Sequence, residues 1–331
     1  MYLRKIITTT LFVLLCFGMI ELSYRYFAVG SAAFSLKRFN SFNMLPLSGL
    51  VQPSEYPGIF YELKPNLDTL FHDIPFKTNS AGLADQEYAQ NKADNTVRVA
   101  VLGSSWTMAT DVAQQDTYHS VLEAELSATS DHQNYEFLNF GVEYYGLREI
   151  VDTARYRVME WDPDILVVAI TAFTARLRWE EPSKRELLPD KVYPVFESYS
   201  LRELDYIMGS GMYTKRVSSR PRLKLSEQDA YRAQIARAFY ELDQIATDNN
   251  IPVIIMWLSY LKPPKDVEQE MQRLDQELDV IFVDTYNSLI ALGDGKNRGV
   301  RKNRHPDALG HKTIAQSLKE AMLKNKLLPG L

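Results

Sequence analysis

Five short apolar runs along the chain have the character of buried β-strands. Most contain no polar residue, which is typical of strands covered on both faces of a parallel sheet. The runs are Val99–Leu102, Phe137–Asn139, Ile165–Ile170, Val253–Trp257 and Val280–Val283.

Segments with helical periodicity separate most of these runs. In each segment, apolar residues three and four positions apart form one hydrophobic face. The faces are Tyr118, Val121, Leu122 and Leu126; Leu147, Ile150, Val151, Ala154, Val158 and Trp161; Tyr231, Ile235, Ala238, Phe239, Leu242 and Ile245; and Ile314, Ala315, Leu318, Ala321 and Met322. The alternation predicts a flavodoxin-like, three-layer α/β/α fold with five parallel strands in the order 2-1-3-4-5.

The N-terminus carries a long apolar segment. Arg4 and Lys5 precede Ile6–Ile20, and aromatic residues follow around Arg25. Extended to residue 24 at about 1.5 Å per residue, the segment approaches the roughly 30 Å of a bilayer's hydrocarbon core. The charged residues Glu21 and Arg25 between the run and residue 28 favour a retained transmembrane helix. The charge bias predicts that the chain after residue 30 lies outside the cytoplasm. The alternatives are a signal peptide cleaved after residues 28–30, Ala-Val-Gly, and a buried core helix.

These patterns predict the domain organisation. We expect a cytoplasmic tail at 1–5, a signal anchor at 6–24, a juxtamembrane segment at 25–55 and one α/β domain at 56–331. Residues 177–225 interrupt the alternation with a charged segment rich in proline and aromatic residues, too long for a simple connection. Since it follows the third strand, it is predicted to be a lid or substrate-binding insertion, with a decorative loop as the alternative.

Composition excludes several classes of function. The 331 residues carry a net charge of −5, which argues against nucleic acid as the main partner. Cys16 is the only cysteine, and the five histidines are scattered, so no disulfide within the chain and no metal site are predicted. Neither a dinucleotide-binding G-x-G-x-x-G after a strand nor a phosphate-binding P-loop is present, so no cofactor is predicted.

The candidate chemistry lies at the end of the first strand, in VAVLGSSWTMATDV at 99–112. Ser105 is predicted at the carboxyl edge of the sheet, where parallel sheets place reactive residues. A serine nucleophile needs a base and donors for the oxyanion. His305, just before the last helix, would come from the same edge, whereas His311 falls inside that helix and is predicted to be structural or exposed. By itself, Ser105 is more typical of a turn or helix cap.

Several blocks in order carry a family resemblance. They are VAVLGSSWTMATDV, QDTYHSVLEAEL, FLNFGVEYYGLRE, DPDILVVAI and HPDALGHKTIA, and the lead-ins YELKPN and KTNSAGLAD precede them. Together they resemble the SGNH (GDSL-like) hydrolase and acyltransferase superfamily, especially its membrane-anchored bacterial members, over roughly residues 56–325. The resemblance implies that Ser105 is the nucleophile, that His305 is the base, and that the backbone N–H groups of Ser105 and Gly141 bind the oxyanion.

The chain departs from the family pattern at several positions. Ser104 stands where the family usually has Asp, and Tyr144 replaces the last Gly of the second block. The segment TAFTAR at 171–176 replaces Gly-x-Asn-Asp, whose Asn donates to the oxyanion, and Lys302 replaces the Asp three residues before the histidine.

Other residues are therefore candidates for the missing roles. Thr171, Thr174 or Arg176 could replace the missing oxyanion donor, and Arg176 is also predicted to bind substrate. Asp294 or a backbone carbonyl could orient His305, whereas Asp307, at the start of the last helix, is expected to serve the helix N-terminus.

A basic run, KNRGVRKNR at 296–304, ends beside His305. One interpretation is a solvated loop. The other is that Lys302 or Arg304 meets an anionic polymer, such as a uronate-containing glycan, at the mouth of the site.

The resulting hypothesis is a serine esterase or O-acyltransferase, with acetyl implied by family analogy alone, that acts on an envelope or exported glycan. Its predicted location is the bacterial inner membrane, with the domain on the periplasmic side and envelope polysaccharide machinery as a possible partner. The alternative is a catalytically degenerate protein on the same fold that binds glycan or serves as an assembly subunit.

Overall fold

The computed structural model of the chain describes residues 2–42, 49–108, 110–130, 132–177, 179, 198, 200, 223–224, 227–260, 262–292 and 305–330. Within these residues the strands are β1 (Val51–Pro53), β2 (Tyr61–Leu63), β3 (Asp68–Phe71), β4 (Ile74–Lys77), β5 (Thr96–Leu102), β6 (Asn134–Asn139), β7 (Ile165–Ile170), β8 (Val253–Trp257) and β9 (Val280–Asp284). The α-helices are α1 (Tyr2–Val29), α2 (Leu36–Ser41), α3 (Tyr118–Thr129), α4 (Leu147–Tyr156), α5 (Gln228–Asn249), α6 (Lys265–Glu277), α7 (Tyr286–Ile290) and α8 (Ala308–Lys324).

Strands β5 to β9 form one parallel sheet in the order β6-β5-β7-β8-β9. This is the predicted order 2-1-3-4-5, and the predicted fold class is confirmed. Every residue of β5, β7 and β8 is buried, because helices cover both faces of the sheet.

The two faces of the sheet belong to two hydrophobic cores. Successive side chains of a strand point to opposite faces, so Ala100 and Leu102 of β5 join one core, whereas Val99 and Val101 join the other. Helices α4, α5 and α6 pack together over the first face, and α3 and α8 pack together over the second. The result is the expected three-layer arrangement.

The strand order places a crevice at the carboxyl ends of β5 and β7. From β5 the chain moves to β6 on one side, and from β6 it crosses back to β7 on the other side. Such a switch point opens a space between the loops that leave the two central strands, which is where ligands bind in sheets of this type. Ser105 follows β5 and Thr171 follows β7.

Among the described residues, α1 is the one helix long and apolar enough to cross a membrane. Its 28 residues span about 42 Å at about 1.5 Å per residue, and it contains the predicted anchor at 6–24. After α1, a 3₁₀ turn at Gly30–Phe34 and the short helix α2 lead towards the domain.

The predicted start of the domain at residue 56 falls inside a folded unit. β1 pairs antiparallel with β2, and Leu50 and Val51 are buried in the core. A three-residue strand is too short to show an alternating pattern, so the sequence did not reveal it. The predicted insertion at 177–225 lies almost entirely outside the described residues.

Arg98 fastens the start of β5 to its surroundings. Its side chain is 0% exposed, and its Nε lies 2.7 Å from a carboxylate oxygen of Glu136. Its terminal nitrogens donate to the backbone carbonyls of Gln90, Trp161 and Ala89 at 2.7–2.8 Å. Burial of this charge is tolerated because a carboxylate and three carbonyls surround it.

We expect Arg98→Met to lower the free energy of unfolding by about 3–5 kcal/mol, because it leaves buried acceptors and a carboxylate without their partner. Arg273→Met, on the exposed surface of α6, is the control and should change stability little. Urea unfolding of the full-length chain in detergent micelles measures both. Equal, small changes in the two variants would contradict the structural role of Arg98.

Candidate active site

A tight turn after β5 presents Ser105 to the crevice. The N–H groups of Thr107 and Met108 both donate to the carbonyl of Ser104 at 2.9 Å, which closes the turn. Gly103 is required there, because a Cβ at this position would lie 2.1 Å from Thr107 Oγ1. Ser105 therefore projects from a rigid loop at the end of a central strand.

His305 reaches Ser105 from the other end of the domain. The Nε2 atom of His305 lies 2.9 Å from the Ser105 Oγ, so the two side chains converge as the sequence predicts. His305 immediately precedes α8. Asp307 accepts a hydrogen bond from the Gly310 N–H at 3.0 Å and so acts as the N-cap of this helix, the role expected for it.

His311, the other histidine of this motif, is a structural residue. It is buried within α8, and its Nδ1 accepts a hydrogen bond from the Tyr118 N–H at 3.1 Å. Burial lowers the pKa of His311 to about 3, so the ring is neutral.

Asp111 occupies the position beside His305 that sequence analysis assigned to Asp294 or a backbone carbonyl. Its Oδ2 lies 3.3 Å from His305 Nδ1, and its side chain is 5% exposed. A carboxylate at this place favours the proton on Nδ1 and leaves Nε2 as the acceptor that faces Ser105. Asp294 lies outside the described residues.

The sequence did not point to Asp111 because the family pattern places the acid beside the histidine. Asp111 instead belongs to the loop that carries Ser105, and its left-handed backbone, with φ of 70°, turns the chain there. The available signal was its position in the loop after β5, within the same block as the serine.

A second histidine holds the other oxygen of the same carboxylate. His72 Nδ1 lies 2.8 Å from Asp111 Oδ1. His72 comes from the loop between β3 and β4, outside the parallel sheet, and no sequence motif marked it as a site residue. The Asp111 carboxylate is thus bracketed by two imidazole rings.

Three hydroxyl groups form a chain at the carboxyl ends of β5 and β7. The Oγ of Ser104 lies 3.0 Å from Thr174 Oγ1, which lies 2.8 Å from Thr171 Oγ1. The Thr174 N–H also donates to Thr171 Oγ1 at 3.0 Å. If Ser104 donates to Thr174 and Thr174 donates to Thr171, the Thr171 hydroxyl hydrogen is not used within this chain of hydroxyls. Thr171 also lines the pocket that contains Ser105.

Gly141 does not present its N–H to the pocket. That N–H donates to Asn139 Oδ1 at 2.9 Å, so it is already satisfied within the end of β6. A Cβ on Gly141 would lie 2.6 Å from the Thr107 Cβ and 2.7 Å from the Met108 N. The geometry therefore replaces the expected oxyanion role of Gly141 with a packing role: its missing side chain lets the Ser105 turn approach β6.

Arg176 lines the pocket but is tied to the base of the predicted insertion. Its Nε and Nη2 donate to the Leu223 carbonyl at 3.0 and 2.7 Å, and the Leu223 N–H donates back to the Arg176 carbonyl at 2.8 Å. Lys302 and Arg304, the other predicted substrate-binding residues, lie outside the described residues.

Ser105 and His305 open into a cavity of about 520 Å³, within the range of small-molecule sites. Aromatic side chains contribute much of its wall. Trp106 and Tyr260 form one pair with ring centres 5.1 Å apart, and Tyr144 and Phe173 form another at 5.8 Å.

Glu143 adds a buried carboxyl group to the same pocket. Burial raises its pKa to about 7; Asp111 adds to this effect, whereas His305, His72 and the hydrogen bond from Thr110 Oγ1 oppose it. Within the described ranges, no group of histidine, cysteine and acidic residues is arranged to hold a metal ion.

No protein-family model and no curated protein matches the chain. Solved structures similar to the chain include the following three. One is an alpha/beta hydrolase enzyme from the metagenome of Lake Arreo, Spain, with 14% identity, 70% of this chain and 96% of that chain covered, and a TM-score of 0.47. The second is an acetylxylan esterase from Geobacillus stearothermophilus, with 16% identity, 68% and 94% covered, and a TM-score of 0.42. The third is a two-domain esterase active on acetylated mannans, with 13% identity, 70% and 50% covered, and a TM-score of 0.43.

Glu143 should make the stability of the protein depend on pH. A carboxyl whose pKa is raised to about 7 in the folded state binds its proton more tightly there than in the unfolded chain. Its contribution to the free energy of unfolding is therefore fully present at low pH and is lost as pH rises from about 4.5 to 7. We expect Glu143→Gln to raise the free energy of unfolding above pH 7 by on the order of 1–3 kcal/mol, with the gain fading below about pH 5.

Thermal unfolding across this pH range measures the effect. Glu125→Gln, on the exposed face of α3, is the matched control and should give a curve parallel to that of the unmodified protein. If the Glu143→Gln curve is parallel as well, Glu143 does not take up a proton on folding.

Proposed function

We propose that this chain is a serine esterase or O-acyltransferase of the SGNH (GDSL-like) type. Ser105 is the nucleophile, His305 is the general base, and Asp111 orients the base. The observation that carries the proposal is the continuous contact from Ser105 Oγ to His305 Nε2 at 2.9 Å and from His305 Nδ1 to Asp111 at 3.3 Å. Nucleophile, base and orienting acid in this order are the parts that acyl transfer requires.

Each group has a defined role in the first half of the reaction. Ser105 Oγ attacks the ester carbonyl carbon while His305 Nε2 takes the hydroxyl proton, and the Asp111 carboxylate stabilises the imidazolium that forms. The tetrahedral intermediate then collapses. The bond to the leaving alkoxide breaks, His305 returns the proton to that oxygen, and the acyl group remains on Ser105.

In the second half, His305 takes a proton from an incoming hydroxyl group, whose oxygen attacks the acyl carbon. The bond from that carbon to Ser105 Oγ then breaks, and His305 returns the proton to Ser105 Oγ. Water as the incoming group gives hydrolysis, and a sugar hydroxyl gives acyl transfer. Both outcomes use the same residues, so the acceptor that enters the pocket decides between them.

The developing oxyanion needs donors that are already in place. The N–H of Ser105 makes no hydrogen bond to any other described residue, and it lies at the nucleophile itself. The Thr171 hydroxyl is the second donor we propose, since the buried Thr174 and Ser104 hydroxyls fix its orientation. Thr171 thus takes the place of the Asn that the family pattern contains.

We propose an acetylated envelope or exported glycan as the substrate class. The aromatic walls of the pocket offer apolar surface against which sugar rings can pack, and α1 supplies a membrane anchor. With Arg4 and Lys5 on the cytoplasmic side, the domain would lie on the periplasmic side of a bacterial inner membrane, where such glycans and their assembly machinery are found.

A fluorophosphonate probe tests the nucleophile. We expect it to label the full-length chain at Ser105 and to leave Ser105→Ala unlabelled. Asp111→Asn should lower kcat for p-nitrophenyl acetate by about 10³–10⁴-fold, the size of effect seen when the acid of another Ser-His-Asp triad is replaced. Asp116→Asn, further along the same loop, is the matched control and should keep the original kcat.

A folded protein that the probe does not label, with unchanged ester cleavage in Ser105→Ala and Asp111→Asn, would reject the enzyme. The glycan-binding or assembly role would then replace it.

The proposed oxyanion donor has its own test. Thr171→Val removes the hydroxyl at nearly constant volume, and we expect kcat/KM to fall by about 10²–10³-fold, the usual loss for one oxyanion donor. Thr171→Ser keeps the hydroxyl and should retain most of the activity. Equal activity in both variants would show that the donor lies elsewhere.

A further inference from the structure

We propose that His72 is a positioning residue of this site: it holds the second carboxylate oxygen of Asp111 from a hairpin that the helix after α1 fixes in place. This inference rests on the proposed function, because it assigns a role towards the Asp111–His305 pair. His72 touches neither Ser105 nor the proposed substrate position; it acts through Asp111.

The geometry at Asp111 explains why a second partner matters. His72 Nδ1 lies 2.8 Å from Oδ1, and His305 Nδ1 lies 3.3 Å from Oδ2. A proton on His72 Nδ1 makes it a donor to the carboxylate, and hydrogen bonds to charged groups are among the stronger ones. With Oδ1 held, rotation of the carboxylate is prevented and Oδ2 stays directed at His305.

Aromatic contacts fix the His72 ring itself. The Phe71 ring lies 4.1 Å from it, centre to centre, and Phe42 is stacked on it at 5.6 Å with an angle of 9° between the planes. The His72 side chain is also largely buried. These contacts restrict the ring to the orientation in which Nδ1 faces Asp111.

The backbone of the hairpin supports the same interpretation. β3 and β4 are joined by a two-residue loop, His72 and Asp73, between the paired residues Phe71 and Ile74. Both loop residues are left-handed, with φ of 49° and 65°. Gly, Asn and Asp adopt such a backbone most readily, so His72 is the less usual of the two residues there. Disfavoured conformations of this kind concentrate at functional sites.

The hairpin tip is in turn fastened to α2. The Ser41 carbonyl accepts from the His72 N–H at 3.1 Å, and Ser41 Oγ accepts from the Asp73 N–H at 2.7 Å. The guanidinium of Arg38 donates to both carboxylate oxygens of Asp73, at 2.7 and 2.6 Å. Consecutive contacts therefore link α2, which follows the candidate membrane helix, to the acid of the proposed triad.

The first test separates the donor from the ring. His72→Phe keeps the aromatic packing but removes the N–H. We expect kcat for p-nitrophenyl acetate to fall by roughly 10–100-fold with KM nearly unchanged, since the loss of a hydrogen bond to a charged group has about this size. His72→Asn supplies an amide donor and tolerates a left-handed backbone, so it should recover part of the lost kcat.

Two variants control for a merely structural effect. Lys77→Met breaks an exposed ion pair with Asp68 in the same hairpin and should leave kcat unchanged. His72→Gly relaxes the left-handed backbone while removing the donor. It should lower kcat while the far-UV circular dichroism spectrum of the folded protein is retained, and it decides the question if His72→Phe does not fold.

A double-mutant cycle tests the link to α2. Arg38→Met releases the hairpin tip, and we expect it to lower kcat less than His72→Phe does. In the His72→Phe background it should have no further effect, because the contact that it supports is already lost. Independent, additive effects of the two substitutions would reject the link.

The outcomes separate this inference from the proposed function. Full activity in His72→Phe or His72→Gly, with Ser105→Ala inactive, overturns the role of His72 and leaves the proposed enzyme intact. Full activity in Ser105→Ala overturns the proposed function, and this inference fails with it.

Discussion

The carboxylate of Asp111, buried between the rings of His72 and His305, is the group on which the arrangement around Ser105 depends. A buried charge is tolerated only where partners satisfy it. Here the partners come from segments far apart in sequence: the loop after β5, the β3–β4 hairpin and the residue that precedes α8. The carboxylate thus brings the hairpin, the central sheet and the last helix to one point.

The rest of the site follows from the switch point of the sheet. The loops after β5 and β7 leave neighbouring strands and diverge, and the hydroxyl chain from Ser104 through Thr174 to Thr171 bridges them. At β6, the absence of a side chain on Gly141 lets the Ser105 turn pack closely. Ser105 is therefore held by backbone and small polar groups, and larger aromatic side chains form much of the pocket wall.

Burial reduces the charge in the site by favouring the neutral form of Glu143. Glu143 lies beside the Asp111 cluster, and burial together with the neighbouring carboxylate raises its pKa to about 7, so it is largely neutral in mildly acidic conditions. A neutral Glu143 beside the Asp111 carboxylate avoids placing two negative charges close together in a buried site. His72 also connects this cluster to α2, because the N–H groups of His72 and Asp73 both donate to Ser41.

The sequence by itself determined the sheet, its strand order, the helices that cover it and the convergence of Ser105 with His305. These features follow from apolar periodicity and from the rule that the carboxyl ends of parallel strands share one edge, both of which are local or topological. Only the tertiary structure decided the partners of His305. Asp111 depends on a left-handed turn, His72 on a hairpin with neither Asn nor Gly in its loop, and the amide of Gly141 on a side chain two residues away. The pairing of β1 with β2 was hidden because hydrogen bonding, rather than pattern, defines so short a strand. Side-chain contacts between distant segments are set by packing in three dimensions, which no pattern along one chain records.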